Sequence, residues 1–486
     1  WIDQNEKFLF YALIVFNLSF IYRFGNFPTL DGPAHLNNSR IIFSMIFEHN
    51  EVLKNYFTFN PTIEPNWTAH IIISFLMLFF KANVCEKILL TFYIVMLPIS
   101  FRNLMYKISN GKVLLSYFIF PFSFSLLFFL GFYNFSFGLV MLFISLNYFI
   151  KNYSSIDKIK HLIIFTLMQL IAYFSHIVIF AALWLCIILW LLNYYWISKQ
   201  TIKSWFLKEG ERLYLIFMTG LIPLVLFIMY FSSHATFNQN AFYVDMKMLI
   251  KWLYQVRVKV VFVTEDEENY TTWIFILLMA LFVLAINNRI LNFKQEHIKI
   301  EGVGIHNKWK RVFKVYDMWL LVAMVFLLLY FMLPDKTSTG SVISVRFSLL
   351  FYLFLIVWIA NVRLSKEVQF IVISFVLFIH WSSTKYYTEI LRPLNSTINE
   401  IKQTARYIAP NSTVIAFNFS NSWLRTHYAN YLGIDKPMVV LMNYECSEGY
   451  FPLIWNTSET PDIYLGKQKQ FYDENYYWKT NLESEK

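Results

Sequence analysis

The chain has 486 residues, of which 57% are hydrophobic and 15% charged, and its mean hydropathy is +0.47. A soluble protein of this size cannot hide so much apolar surface, so the globular soluble classes are excluded and a polytopic membrane protein is expected. The net charge of +10 would raise nucleic acid as a partner in a soluble chain. Here the basic residues sit in short connectors between apolar runs, which reads as membrane topology, with no nucleic-acid partner.

The first apolar run, 8–22, lacks a small-x-small cleavage site and leads into a polar loop, so it reads as a retained membrane anchor. The loop spans 23–66. It opens with Asn26-Phe27-Pro28-Thr29-Leu30-Asp31-Gly32-Pro33-Ala34-His35-Leu36-Asn37-Asn38-Ser39-Arg40, which crowds an acid, an imidazole and a guanidinium together. Asp31-Gly32-Pro33 has the form of a helix start, with Asp31 as cap and Pro33 in the first turn. His35 and Ser39 follow Asp31 at four-residue steps on one helical face. The stretch 67–101 contains two short apolar pieces split by Lys81 to Lys87; one crossing plus an interfacial or re-entrant helix fits it. Further apolar runs lie at 113–130, 132–150, 161–175, 177–197, 212–231, 272–287, 318–334, 346–361 and 368–380.

The basic connectors orient these runs. Arg102, Lys107 and Lys112 form one. Lys151, Lys158 and Lys160 form a second, and Lys199, Lys203, Lys208 and Arg212 a third. The fourth carries Arg289, Lys294, Lys299, Lys308, Lys310, Arg311 and Lys314. With all four on the cytoplasmic side, the outside set is 23–66, 131–134, 175–176, 232–270, 335–345 and the tail from about 381. The expected fold is mainly α, a polytopic membrane helical bundle of about eleven spans, N-terminus inside and C-terminus outside. Residues 1–385 would form the membrane domain and 386–486 a small C-terminal extracytoplasmic α/β domain. In that tail a helix over Leu394 to Ile408 precedes strand-like runs at Thr413–Phe417 and Pro437–Leu441. Cys85, Cys186 and Cys446 are far apart, which gives neither a disulfide framework nor a metal knuckle. The abundance of Phe, Ile, Asn, Lys and Tyr suggests an AT-rich genome, so single aromatic residues carry little weight.

The polar residues of interest all fall in the predicted outer connections. They are Asp31, His35, Arg40 and Glu64 in the first loop, Asn134 in the turn at 131–134, His176, and Asp335 and Arg346 before the tenth long run. Asp31 is either a simple helix cap or a partly desolvated carboxylate of raised basicity, fit to act as a general base or hold a metal. His35 is either structural or a phosphate ligand that tunes the acid. His176 and Arg346 are either interfacial side chains or a clamp for a lipid phosphate, which a guanidinium suits. Glu265-Asp266-Glu267-Glu268 reads as a solvated loop. There is no P-loop, dinucleotide fingerprint, zinc motif or nucleophile elbow. A sugar donor would therefore be lipid-linked and reached from the bilayer.

In this layout the chain resembles the GT-C superfamily of integral-membrane glycosyltransferases: many spans, a long first outer loop with an acid soon after the first span, and a C-terminal outer domain. Its sharpest local match is Asp31, at the position of the family's catalytic acid. The chain is also similar to multispan proteins of Bacteroidetes-type bacteria with a DGPAH-like first loop, a Leu-Pro-Asp loop followed by Arg, and a tail like Asn443-Tyr444-Glu445-Cys446-Ser447-Glu448-Gly449-Tyr450-Phe451-Pro452. The resemblance implies an enzyme of the bacterial inner membrane that moves a sugar from a polyprenyl-phosphate carrier to an acceptor outside. Asp31 and His35 would be catalytic, with Arg346, His176 and Arg40 on the donor phosphate. Tyr444, Glu445, Glu64, Asn134 and Asp335 would bind the acceptor. The first loop has a single Asp where the family carries an acidic pair, so no metal follows from the resemblance and a divalent cation stays an open candidate. The Trp-Trp-Asp signature of oligosaccharyltransferases is missing, which argues against transfer to Asn. Two other readings stand beside this one: a non-catalytic membrane subunit whose tail docks envelope proteins, and a transporter. The scarcity of ionisable groups within the apolar runs counts against transport.

Overall fold

The computed structural model describes residues 2–198, 200–234, 241–298, 315–361, 364–456 and 458, and these are mainly helical. Lys199, Lys299, Lys308, Lys310, Arg311 and Lys314 of the basic connectors, and most of the tail beyond 456, lie outside the described residues. Among the described residues six helices are long and apolar enough to cross a membrane: Ala82–Ile108, Tyr133–Ser155, Ile177–Ser198, Ile202–Ser233, Glu265–Leu291 and Lys366–Ala405. Shorter apolar helical stretches occupy Leu114–Phe129, Ile159–Ser175, Met318–Met332 and Ile343–Ile359. In Ile202–Ser233 and Glu265–Leu291 only 28% and 22% of the apolar window is buried. Phe217, Ile222, Ile228 and Val283 stand exposed on them, a surface suited to lipid tails and costly in water. The helix Ile343–Ile359 is the opposite case, buried from Ser344 to Ile359 without interruption.

The ambiguous stretch 67–101 resolves into a short helix, Thr68–Leu76, and one long helix, Ala82–Ile108. The run 113–130 is not one continuous helix. It divides into a 3-10 turn Leu114–Phe118 and two short helices, Ile119–Ser123 and Leu126–Phe129. Phe124 leaves helical geometry at ψ 65°, and Ser125 restarts the helix by accepting from the Phe128 amide at 3.3 Å. Nearly all of this broken segment is buried, wrapped by an aromatic cluster that includes Phe20, Phe24, Phe27, Tyr93, Phe124, Phe128 and Phe129. The expected tail helix 394–408 is continuous with the last apolar helix, as Lys366–Ala405, which runs through Pro393.

The strands are short. β1 (Phe57–Phe59), β2 (Thr413–Val414), β3 (Val439–Val440) and β4 (Leu453–Trp455) make two two-stranded ladders, β2 with β3 in parallel and β1 with β4 antiparallel. The second ladder joins the first loop to the tail, with Phe57 opposite Trp455 and their rings stacked at 4.7 Å. Ile41, Ile42, Leu53 and Phe57 share one apolar cluster with Val439, Leu441 and Leu453. The tail therefore buries part of its core against the first loop.

The seat of Asp31 is made by backbone. The Leu30 and Asp31 amides donate to the carbonyls of Phe129 and Leu130 at 3.0 and 3.1 Å. Gly131 follows at φ +76°, and a Cβ there would lie 2.7 Å from the Gly32 nitrogen and 2.9 Å from the Asp31 nitrogen. A Cβ on Gly32 would lie 2.3 Å from Thr29 Oγ1 and 2.4 Å from the Tyr133 hydroxyl. Both positions thus need the missing side chain, and Gly131 also needs the left-handed backbone that glycine adopts without strain. Gly131→Ala is expected to destabilise by about 2–4 kcal/mol, from steric overlap plus left-handed strain. Gly210→Ala, in the helix Ile202–Ser233 with nothing within 4 Å of its Cβ, should stabilise by about 0.5–1 kcal/mol. Thermal unfolding of both variants in detergent checks the contrast.

Candidate functional site

Asp31 occupies the N-cap position of the helix Gly32–Ile46, yet its side chain makes no capping hydrogen bond. The carboxylate accepts instead from the Tyr444 hydroxyl and lies 3.6 Å from His427 Nε2. It is 7% exposed. Burial pushes its pKa up to about 7, helped by the negative charge of Glu445 and opposed by His35, Tyr444 and Arg346. His427 stacks on the Tyr444 ring at 4.3 Å, and burial lowers its pKa to about 4. It is therefore neutral, and its approach to Asp31 is a polar contact and no ion pair.

One helical turn on, His35 meets His70 and Glu445. His35 Nδ1 lies 2.7 Å from Glu445 Oε1 and 3.1 Å from His70 Nε2, and His70 Nε2 lies 2.9 Å from Glu445 Oε2. All three residues are buried. Burial disfavours charge on each, but the groups answer it differently. The paired Glu445 carboxylate and Asp31 outweigh burial at His35 and raise its pKa. The two imidazoles outweigh burial at Glu445 and hold its carboxyl well below the usual range. At His70 burial prevails and the pKa falls. One proton is thus held on His35 against an ionised Glu445, with His70 neutral. Asn38 donates to Glu445 Oε2 and accepts from Asn443 Nδ2 at 2.6 Å, which fixes the carboxylate from the other side. One ligand atom from each of His35, His70 and Glu445 lies within 4.8 Å of the others, which is metal-site spacing.

Arg346, in the first turn of Ile343–Ile359, stands at the polar end of a cavity of about 490 Å3. The cavity is walled by Ile177–Ser198, Ile202–Ser233, Met318–Met332 and the segment 333–347, and lined largely by apolar side chains such as Leu185, Phe227 and Phe326. Its polar lining includes His176, Asn66, Tyr230 and Thr339. Arg346 is 8% exposed, and its Nε has no hydrogen-bond partner. The guanidinium lies over the rings of Phe132 and Phe135, at 4.8 and 5.8 Å. Its charge acts on Asp31, which is not itself among the residues lining the cavity. A buried guanidinium with an unsatisfied donor at the end of an apolar cavity can receive an anion attached to a lipid.

The remaining sequence-predicted residues divide. His176 joins Arg346 in the cavity, its Nδ1 accepting from the Val178 amide at 3.1 Å. Glu64 is buried beside it, with Oε2 unpartnered and its charge acting on Tyr230; burial raises its own pKa. Asn134 pins the start of the Thr68–Leu76 helix, donating to the Asn66 carbonyl at 2.8 Å and accepting from the Ala69 amide at 2.7 Å. Asp335 accepts from the Ser344 amide at 3.0 Å and so anchors the turn that presents Arg346. Arg40 is not brought to the cavity. It pairs with Glu48 at 2.9 Å and borders a separate depression with Lys81, Lys402, Arg406 and Lys436. Tyr444 and Glu445 do reach the site, as partners of Asp31 and of the two histidines.

Sequence reasoning missed His70 and His427. His70 sits in a short apolar piece that reads as membrane, and its only signal is a polar residue on that apolar stretch. His427 lies in a featureless part of the tail and gives no signal. No protein-family model matches the chain, and no curated protein matches it.

Asn38→Ala would leave Glu445 and Asn443 short of buried partners. The expected loss is about 2–4 kcal/mol, concentrated where the tail meets the first loop. Limited proteolysis should show faster cleavage within 443–455 while the apolar helices stay intact.

Proposed function

We propose that this chain is an inverting glycosyltransferase of the bacterial inner membrane. It takes a sugar from a polyprenyl-phosphate carrier and passes it to an acceptor hydroxyl on the extracytoplasmic face. The membrane domain crosses about eleven times, N-terminus inside, and the tail forms an outer domain. The observation that carries the reading is a pair of buried groups whose charges interact. One is a carboxylate at a helix start that it does not cap; the other is a guanidinium with an unpaired Nε at the end of an apolar cavity. Residues from the first loop, the 131–134 turn, His176, the 335–345 connection and the tail surround these two groups, which supports the orientation.

In the reaction, the polyprenyl chain lies along the apolar cavity and its phosphate meets Arg346, with His176 beside it. The acceptor oxygen attacks the anomeric carbon from the face opposite the phosphate. The bond between that carbon and the phosphate oxygen breaks, and the phosphate leaves with the electron pair. Asp31 takes the hydroxyl proton. Its raised pKa makes it a stronger base than a solvated carboxylate, and Tyr444 holds it in place. Arg346 stabilises the charge that grows on the phosphate. His35 keeps a positive charge near Asp31, which prevents the pKa from rising further.

A base acts in its ionised form, so transfer should rise with pH through about 7, the pKa of Asp31. Asp31→Asn should lower the rate by about 10²- to 10⁴-fold and flatten that limb. Arg346→Met should lower it by about 10²- to 10³-fold. The measurement is transfer of labelled sugar from synthetic polyprenyl-phosphate sugars by the purified chain. Transfer by Asp31→Asn at near wild-type rate, with normal protein levels, would remove the catalytic assignment. A wild-type chain inert toward all such donors, yet co-purifying with envelope proteins, would favour the non-catalytic subunit.

A further inference from the structure

We propose that His35 Nδ1, His70 Nε2 and a Glu445 carboxylate oxygen bind a divalent transition-metal ion of the zinc class, which fastens the tail to the first outer loop. The inference stands on this cluster alone and holds whether or not the chain transfers sugar.

The argument begins with the second nitrogen of each ring. His70 Nδ1 faces the Asn66 carbonyl at 3.2 Å. A carbonyl only accepts, so with the proton on this nitrogen the neutral ring turns the lone pair of Nε2 inward, which is the tautomer a metal site uses. Such a bond to a backbone carbonyl is the usual outer support of a metal-bound imidazole. His35 likewise bonds the Gly131 backbone. What the inward lone pair of His70 meets is Glu445 Oε2 at 2.9 Å, a second acceptor. Glu445 Oε1, also buried, faces His35 Nδ1 at 2.7 Å. Without an ion the proton on His35 bridges that contact; a divalent ion would displace this proton and share its charge among all three ligand atoms.

The donor set defines the ion. Two imidazoles and one carboxylate are the ligands of three-residue zinc sites, which keep a further position open. Ordinary bonds of about 2.0–2.1 Å at tetrahedral angles separate ligand atoms by roughly 3.3 Å. The observed separations of 2.7, 2.9 and 3.1 Å need to open by only a few tenths of an ångström. The three ligands come from the helices Gly32–Ile46 and Thr68–Leu76 and from the 3-10 turn Tyr444–Ser447. An ion here cross-links segments some 400 residues apart in the chain, since Asn38 and Glu445 alone are separated by 407. Glu445 follows Tyr444, whose hydroxyl binds Asp31, so the ion also fixes the tyrosine against that carboxylate. The competing arrangement is a metal-free cluster in which the His35 proton and a His70 Nε2 proton both face Glu445.

The test is metal content of the full-length chain purified in detergent without chelator, loaded with Zn2+ and freed of excess by gel filtration. One equivalent of zinc per chain is expected. His70→Ala and His35→Ala should fall to background, and Glu445→Gln should bind more weakly; His161→Ala, a histidine remote from the cluster, should keep full content. Co2+ in place of Zn2+ should give visible d–d absorption in the wild-type chain, displaced by added zinc. This wild-type readout decides the matter even where a variant fails to fold. Zinc at background with no cobalt absorption would overturn the proposal and leave the proton-held cluster. Full metal content in folded His70→Ala would overturn it as well.

Discussion

The site depends on one close approach of backbone to backbone. Gly131 lies so near Asp31 and Gly32 that neither glycine has room for a side chain. This contact, with the two amide bonds from Leu30 and Asp31 to the carbonyls of Phe129 and Leu130, fixes the start of the loop helix against the broken central segment. The break in that segment is what makes the contact available. A continuous helix through 113–130 would spend its carbonyls internally, whereas an interrupted one leaves terminal carbonyls free to accept. Two other elements pass through the same point. Tyr133 opens the next long helix, and its hydroxyl donates to Glu86 at 2.7 Å and contacts Thr29. The position of Asp31 is thus set by three segments at once, and its side chain is left free of helix capping.

Freedom from capping matters because the carboxylate is buried. A capping Asp would be held by helix amides and kept strongly acidic. Here the amides are not used, burial is the largest influence, and the pKa moves toward neutrality. The opposite result at Glu445, only a helical turn away in space, comes from two imidazoles facing it. Two carboxylates in one buried region are driven apart in basicity by what each one faces, one poised to exchange a proton and the other held ionised. That division lets the second carboxylate organise the tail without competing for the role of the first.

Much of this was legible in the sequence, and the parts that were not have physical reasons. The run from Asn26 to Arg40 announced the helix start, and the basic connectors grouped Asp31, His176, Asp335 and Arg346 before any contact was known. Hydropathy also divides 67–101 into two short apolar pieces, fitted by one crossing plus an interfacial or re-entrant helix, and the structure has one short and one long helix there. Hydropathy failed at 113–130, because an apolar run buried in protein and one facing lipid have the same composition, and only a ψ of 65° at Phe124 tells them apart. His70 escaped notice for the same reason, as its helix is apolar apart from the inward face. The resemblance assigns Asn134 and Asp335 to an acceptor; in the structure both hold amides at helix starts, a common duty of Asn and Asp. Arg40 was close in sequence to Asp31 but points to Glu48, since nine residues along a helix carry a side chain well away from its start.

The tail is the element whose meaning changes most. Read alone, its strand-like runs suggest a separate module, but its residues enter the site at Tyr444, Glu445 and His427, and its last strand pairs with the first loop. Closing a loop of this length costs entropy that grows only slowly with length, so a modest set of buried contacts suffices to hold it. Those contacts combine the apolar cluster around Leu53, Phe57, Val439 and Leu453 with buried polar pairs: Asn38 with Glu445, Asn443 with Asn38, and Asn37 with Asn430 at 3.1 Å. Because the same contacts carry Tyr444 to Asp31, an intact tail and a complete site are one structural condition.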